Sequence, residues 1–301
     1  MTRFVEGPVR VSVPATSANL GPGFDSLGLA LDLRDELEAE VLADGLVVEV
    51  DGAGAGSVPL DGSHLVVRAM RVAFEALGAE PPGFRLRCTN VVPHARGLGS
   101  SSAAIVGGLA LARALVAGGT LILDDAALFE LAARMEGHPD NVSPALHGGF
   151  TISGHDDDGF WTVGSPVDPR VAVAVFVPSD PVSTEVARGL LPAQVPHAEA
   201  AADAGRTALL VAALAGRPEH LLRATRDYLH QEQRRPAMPA SLALVDALRS
   251  DGVPAVVSGA GPTVLAFVDG PAGGKRLLDR CPDGWAAHVL AVSTDGVRVL
   301  D

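Results

Sequence analysis

With 301 residues, 48% hydrophobic and 20% charged, the chain has apolar material for one large or two medium domains and is not a disordered polymer. A formal net charge of −13 supplies no electrostatic reason for a nucleic-acid or anionic-membrane partner, although a local ring of backbone N–H groups can hold phosphate on an acidic protein. No stretch approaches the roughly 18–20 apolar residues of a membrane span, and residues 1–15 lack an apolar signal core, so a cytoplasmic protein is expected. Cys88 and Cys281 stand far apart with no C-x-x-C pair, which excludes a disulfide framework or zinc knuckle. Lys275 is the only lysine, so phosphate would fall to arginines, backbone amides, a helix N-terminus or a metal.

Alternation over residues 9–13 predicts a strand that runs into Pro14. Residues 15–31, with Gly21, Pro22, Gly23 and Gly28, predict a loop leading into a short strand. Alternation over 36–50 with a turn at Gly45 predicts a hairpin, and 51–63 a surface loop. Residues 65–77 carry apolar side chains at helical spacing, 84–92 alternate as a strand, and 100–116 are apolar on nearly every side, implying a central buried helix. Asp124 or Asp125 caps a helix to Met135, and 148–153 with 160–163 form a hairpin. Near residue 165 the pattern restarts, dividing the chain into domains 1–165 and 166–301. The second half shows a strand at 171–177 and helices near 198–214, 219–229 and 241–250. Strands at 253–258 and 264–268, a helix at 274–281 and a strand at 286–292 complete it.

The strongest chemical signal is the segment from Val91 to Ala104, between a strand and a helix. It contains Pro93, Arg96, Gly97, Leu98, Gly99 and the run Ser100, Ser101, Ser102. The glycines let backbone approach a ligand, and the serines sit where unpaired N–H groups and the helix dipole favour an anion. Three hydroxyls add donors to phosphate oxygens and potential Mg²⁺ ligands. No G-x-x-x-x-G-K-[ST] sequence occurs, and the same residues also read as a glycine turn with serine N-caps. Two more glycine-rich loops, from Pro14 to Asp25 and from Ser258 to Thr263, each follow a predicted strand. Three such loops at strand ends suggest convergence on one ligand.

The order of these segments, with Glu136-Gly-His-Pro-Asp-Asn-Val142 between the second and third, resembles the GHMP kinases, and within them the homoserine kinase branch. The likeness runs from about residue 9 to 268. It implies an α+β fold of two domains: an N-terminal nucleotide domain containing a βαβ crossover of unusual left hand, and a C-terminal ferredoxin-like α/β sandwich. It also implies ATP and Mg²⁺ as cofactors, a homodimer, and phosphorylation of the side-chain hydroxyl of L-homoserine.

By resemblance Gly97, Gly99, Ser100, Ser101 and Ser102 bind phosphate, and Ser101 with Glu130 meets the metal; Glu130 also reads as the i,i+4 partner of Arg134. Arg96 stands where a small kinase could place a lysine near phosphate, or faces solvent. Mevalonate and galactose kinases carry a basic residue where this chain has Thr16, and a catalytic aspartate where it has Asn141. An amide is no general base, so Asn141 is assigned to orient the attacking hydroxyl, with Asn19 as second contact and Asp140 as rival base. An amino-acid substrate needs a carboxylate for its ammonium, and Asp25 or the polar His138 is the candidate for that contact. It needs guanidinium forks for its carboxylate. Arg188 and Arg234 resemble the family's substrate arginines, with Arg235 as rival to Arg234. His64 stands where many relatives carry Asn, and His230 reads as structural. Another GHMP kinase acting on shikimate or a mevalonate derivative, or a catalytically silent relative, are the competing readings.

Overall fold

The computed structural model describes residues 3–301. Its first two strands, β1 (Val9–Asn19) and β2 (Gly23–Leu42), are antiparallel and much longer than the alternation predicts. Pro14 does not end β1. The pairing shifts register between Pro14 and Ala15 and again between Ala18 and Asn19, so the missing amide donor is absorbed at an irregularity in the ladder. The loop expected over 15–31 is therefore two strand segments around a tight turn, and Thr16, Ser17 and Asn19 are buried at its end.

The predicted hairpin between β2 and β3 (Gly45–Gly52) does not form. After α1 (Leu65–Ala76), strand β4 (Gly83–Asn90) inserts between them, antiparallel to β2 and parallel to β3, which makes β3–α1–β4 the βαβ unit. Apolar content decides the order: β4 buries Phe84, Leu86 and Cys88, while β3 buries only Val48 and takes the edge. Burial also pushes the Cys88 thiol up to about 12, an inert core group. Helix α2 (Ser100–Leu115) lies in the middle of this half and buries eleven residues. Helices α3 (Gly119–Ile122), α4 (Asp125–Glu136) and α5 (Val142–His147) follow, α4 being capped by Asp124, which accepts from Ala127 N. The hairpin β5 (Phe150–Asp156) and β6 (Gly159–Ser165) hangs from the first part of β2.

The second half begins with β7 (Val171–Val177), buried at every position. It continues through α6 (Thr184–Gly189), α7 (His197–Gly216), α8 (Leu221–Ala224), α9 (Pro239–Ser250), β8 (Ala255–Val257), β9 (Val264–Asp269), α10 (Gly270–Lys275) and β10 (Ala286–Ala291). The antiparallel sheet has the order β10-β7-β9-β8. Counted within this half the order is 4-1-3-2, with helices after the first and third strands, which is the ferredoxin-like arrangement. A last strand, β11 (Arg298–Leu300), returns to pair with β1, so the C-terminal residues complete the first sheet. The helix expected over 219–229 stops at Ala224, because the Asp227 carboxylate accepts from the amides of Leu229, His230 and Gln231 and draws the chain into a turn. The helix expected over 274–281 starts earlier, at Gly270 with Pro271 in its first turn.

On α7, Asp203 is 3% exposed and accepts from Tyr228 N. Burial and the neighbouring Asp227 push its carboxyl up to about 6, against the pull of that amide. A folded-state value above the unfolded one means that the native chain holds a proton the unfolded chain has released. Stability from this group is therefore complete below about pH 4 and lost as the pH rises through about 6. Asp203→Asn is expected to leave the melting temperature unchanged near pH 4 and to raise it at pH 8 by a few degrees, about 1 kcal/mol, in thermal melts across that range.

Candidate active site

The loops after β1, before α2, before α5 and between β8 and β9 surround a cavity of about 240 Å³. Their meeting is held by short polar links. Thr16 N donates to Leu98 O at 3.0 Å, Gly259 N to Ala18 O at 3.0 Å, and Thr263 N to Arg96 O at 3.2 Å. The buried Ser258 hydroxyl donates to Gly97 O at 2.6 Å and accepts from Ser17 at 2.8 Å, so one side chain joins all three glycine-rich loops. Asn19, in a left-handed conformation with φ of 67°, donates from Nδ2 to Gly259 O and accepts Asp25 N at Oδ1, both at 2.9 Å.

The phosphate-type loop is shaped by backbone conformation. Gly97 and Gly99 have φ of 78° and 69°. A Cβ on Gly99 would strike Thr16, and one on Gly97 would strike the carbonyl of Ser258. Gly97→Ala is expected to cost on the order of 2–4 kcal/mol, from the left-handed strain together with the clash, read as a lowered midpoint in urea unfolding. The first bond of α2 that closes on Gly99 comes from Ala103 N, so the amides of Ser100, Ser101 and Ser102 are the orphan donors of a sixteen-residue helix. Ser101 and Ser102 both donate to Glu136 Oε1, at 2.6 and 3.1 Å, and Glu136 lines the cavity beside Ser101.

Opposite lies the turn before α5. Thr16 donates to Asn141 Oδ1 at 2.8 Å, which fixes the amide so that its NH₂ is the free donor toward the cavity. Asp140 is 2% exposed, and its Oδ1 accepts from Asn141 N at 2.9 Å and from His138 Nδ1 at 2.7 Å. Burial pulls the His138 imidazole down, but the Asp140 hydrogen bond and charge outweigh it and hold the value above the ordinary one.

Arginines close the cavity from the second half. Arg188, on α6, grips Asp25 with two bonds of 3.0 and 2.6 Å. Arg234 is 1% exposed and donates to Gly259 O, Ala187 O and His230 Nδ1. Because a guanidinium only donates, His230 is the neutral tautomer that donates from Nε2 to Gly21 O at 2.7 Å, and burial holds it neutral. Both guanidinium groups lie 5.5 Å from the ring of Phe24. Burial, then repulsion from Arg188, brings Arg234 down to about 10. Arg235 instead pairs with Glu232 and Asp246 at the surface, so Arg234 is the member of the pair that reaches the cavity.

The pattern for GHMP kinases N terminal domain matches residues 64–149, and that for GHMP kinases C terminal matches residues 209–287. The chain belongs to the GHMP kinase family. A homoserine kinase of Streptomyces avermitilis is 52% identical over 99% of this chain and 97% of its own length. One of Streptomyces coelicolor is 53% identical, over 99% and 96%. The crystal structure of a homoserine kinase from Cytophaga hutchinsonii superposes with a TM-score of 0.85 at 26% identity, covering 99% of each chain.

Within this GHMP kinase the cavity brings together Asn19, Gly97, Gly99, Ser100, Ser101, His138, Asn141, Arg188 and Arg234. Six predicted residues sit elsewhere or act indirectly, among them Ser102, which is buried outside the lining and gives its hydroxyl to Glu136. Glu130 is held by Arg134 at 2.5 Å and by Phe160 N at 3.0 Å, on the face of α4 toward the β5–β6 hairpin and away from the cavity. Glu136, six residues on and on another face, is the carboxylate at the serine run. Arg96 turns from the phosphate loop to the carbonyls of His94, Pro178 and Ser179. Leu98 is a core residue that contributes only backbone, Pro93 does not line the cavity, and Asp25 stands outside the lining as the anchor of Arg188. The sequence signal for Glu136 was its place at the head of the motif; for Phe24, its place beside Asp25.

Proposed function

We propose that the protein is a homoserine kinase, transferring the γ-phosphoryl group of ATP to the side-chain hydroxyl of L-homoserine to give O-phospho-L-homoserine, a threonine precursor. The supporting observation is that Arg188 and Arg234, from the second half, line the same cavity as the phosphate-type loop and Asn141. Two guanidinium groups over one ring suit a carboxylate, which binding would place between charges that otherwise repel. Asp140 is the cavity carboxylate suited to the ammonium, and Asp25 holds Arg188 at its station.

In this reading the amides and hydroxyls of Ser100 and Ser101 and the N-terminus of α2 receive the phosphates. The base occupies a neighbouring hollow of about 300 Å³ that shares Ser100 and Ser101 with the cavity and has Val58, Leu65 and Val66 in its walls. His64 lines it with a buried, unpaired Nδ1, and burial, then His94, keeps the imidazole neutral.

Among the described residues no three His, Cys, Asp or Glu side chains form a metal cluster. The donor set fits Mg²⁺ nonetheless, because that ion takes one or two carboxylates and otherwise phosphate oxygens and water. Glu136 and Ser101 would hold it, where it would neutralise charge on the transferred group. Asn141 donates its NH₂ to the attacking oxygen, and Thr16 prevents the amide from flipping. Since a carboxamide is no general base in water near neutrality, alignment and charge neutralisation carry the reaction, as a loose phosphoryl-transfer transition state allows.

We further read the chain as two domains meeting near residue 165, with β11 returned to the first, and as a cytoplasmic homodimer; no described helix is long and apolar enough to cross a membrane. The test of the reaction is ³¹P NMR of enzyme with Mg-ATP and L-homoserine. A phosphomonoester signal growing with ADP is expected, and inorganic phosphate in its place would contradict the proposal.

A further inference from the structure

Away from the active site, Arg206 on α7, Arg223 on α8, Arg226 just after α8 and Arg249 on α9 line one open hollow of about 480 Å³, with His220 at its rim. Such a concentration is unexpected in a chain of net charge −13. Elsewhere arginines such as Arg170, Arg217 and Arg235 pair with carboxylates. Among the described residues none of these four forms an ion pair with a carboxylate. The one acid in the wall, Glu219, is engaged by Arg217 at 2.6 Å. Arg206 keeps a buried Nε with no partner, a donor that costs free energy until something accepts from it. Arg226 is held over the Tyr228 ring at 5.2 Å, and Arg249 is fixed by bonds to Thr225 Oγ1, Leu222 O and Ala255 O.

We propose that this hollow is a binding site for a small, multiply charged anion of the phosphate class, distinct from the ATP site and coupled to the acceptor cavity. Guanidinium forks match phosphate geometry and need no lysine. The coupling runs through contacts already fixed. Arg249 donates to Thr225 at 2.8 Å, and the Thr225 carbonyl lies so close to Gly21 that a Cβ there would be 2.6 Å from it. Gly21 O accepts from His230 at 2.7 Å, and His230 accepts from Arg234 at 2.9 Å. An anion that shifts Arg249 therefore shifts the guanidinium that faces the acceptor.

Binding is measured by calorimetry with inorganic phosphate on the full chain saturated with a non-hydrolysable ATP analogue and Mg²⁺. Saturable binding that persists with the analogue, and weakens about tenfold or more in Arg223→Gln/Arg226→Gln, is expected. Both replaced side chains are exposed, and the variant's unchanged melting temperature without phosphate serves as the folding control. Loss of binding in the presence of the analogue, or equal binding by the variant, overturns the site. Coupling, which rests on the homoserine reading, is read as a shift of about fivefold in acceptor KM with phosphate, absent in the double variant. An unshifted KM with phosphate bound overturns the coupling, and calorimetry remains informative whatever the acceptor is.

Discussion

Arg234→Met is expected to raise the KM for L-homoserine by about a hundredfold while changing the melting temperature by only a few degrees. Loss of one fork of a bidentate carboxylate contact removes two charge-assisted hydrogen bonds, about 3 kcal/mol together. The same side chain contributes little net stability, because burying its charge at 1% exposure without a direct carboxylate partner offsets what its bonds to Ala187 O, His230 Nδ1 and Gly259 O return. Methionine fills comparable volume, and Gly259 O keeps its second donor, Asn19. Steady-state kinetics at saturating ATP together with thermal melts check both halves. A variant that melts far lower but binds acceptor normally would make Arg234 a structural residue.

Glu136→Gln is expected to lower kcat by about 10²–10³-fold and to raise the Mg²⁺ concentration for half-maximal activity. The substitution keeps an acceptor for Ser101 and Ser102 and removes only the charge, so the fold is expected to be unaffected. The matching change at Glu130, Glu130→Gln, is expected to leave kcat within about twofold, since that side chain serves Arg134 and Phe160 N. Magnesium titrations of the two variants distinguish the carboxylates.

What the sequence disclosed and what it withheld divide along physical lines. The phosphate-type loop was legible because its determinants are local: two glycines that need positive φ, then serines opening an apolar helix. Strand β7 was legible because complete burial leaves an unbroken apolar run, and helix α2 because eleven of its sixteen residues are buried and leave little polar surface. The hairpin prediction failed because Gly45 marks a turn but says nothing of which strand fills the neighbouring place, and that was settled by the richer apolar face of β4. The carboxylate at the serine run is Glu136 and not Glu130, which the chain order leaves open because two glutamates on one helix differ only in the face they present, and that depends on packing. Arg96 reads as a phosphate ligand along the chain, but the carbonyls of Pro178 and Ser179 from a distant loop, with His94 O of its own, take its guanidinium. No pattern along the chain announces the Thr16–Asn141 bond, 125 residues apart.

The central claim is tested most directly by ADP release with Mg-ATP, comparing L-homoserine with mevalonate, shikimate and L-serine as acceptors. The account predicts turnover with L-homoserine far above the other three. Turnover of mevalonate or shikimate in its place would contradict the two-arginine acceptor site, and no turnover of any acceptor by a protein that binds ATP would contradict the kinase itself.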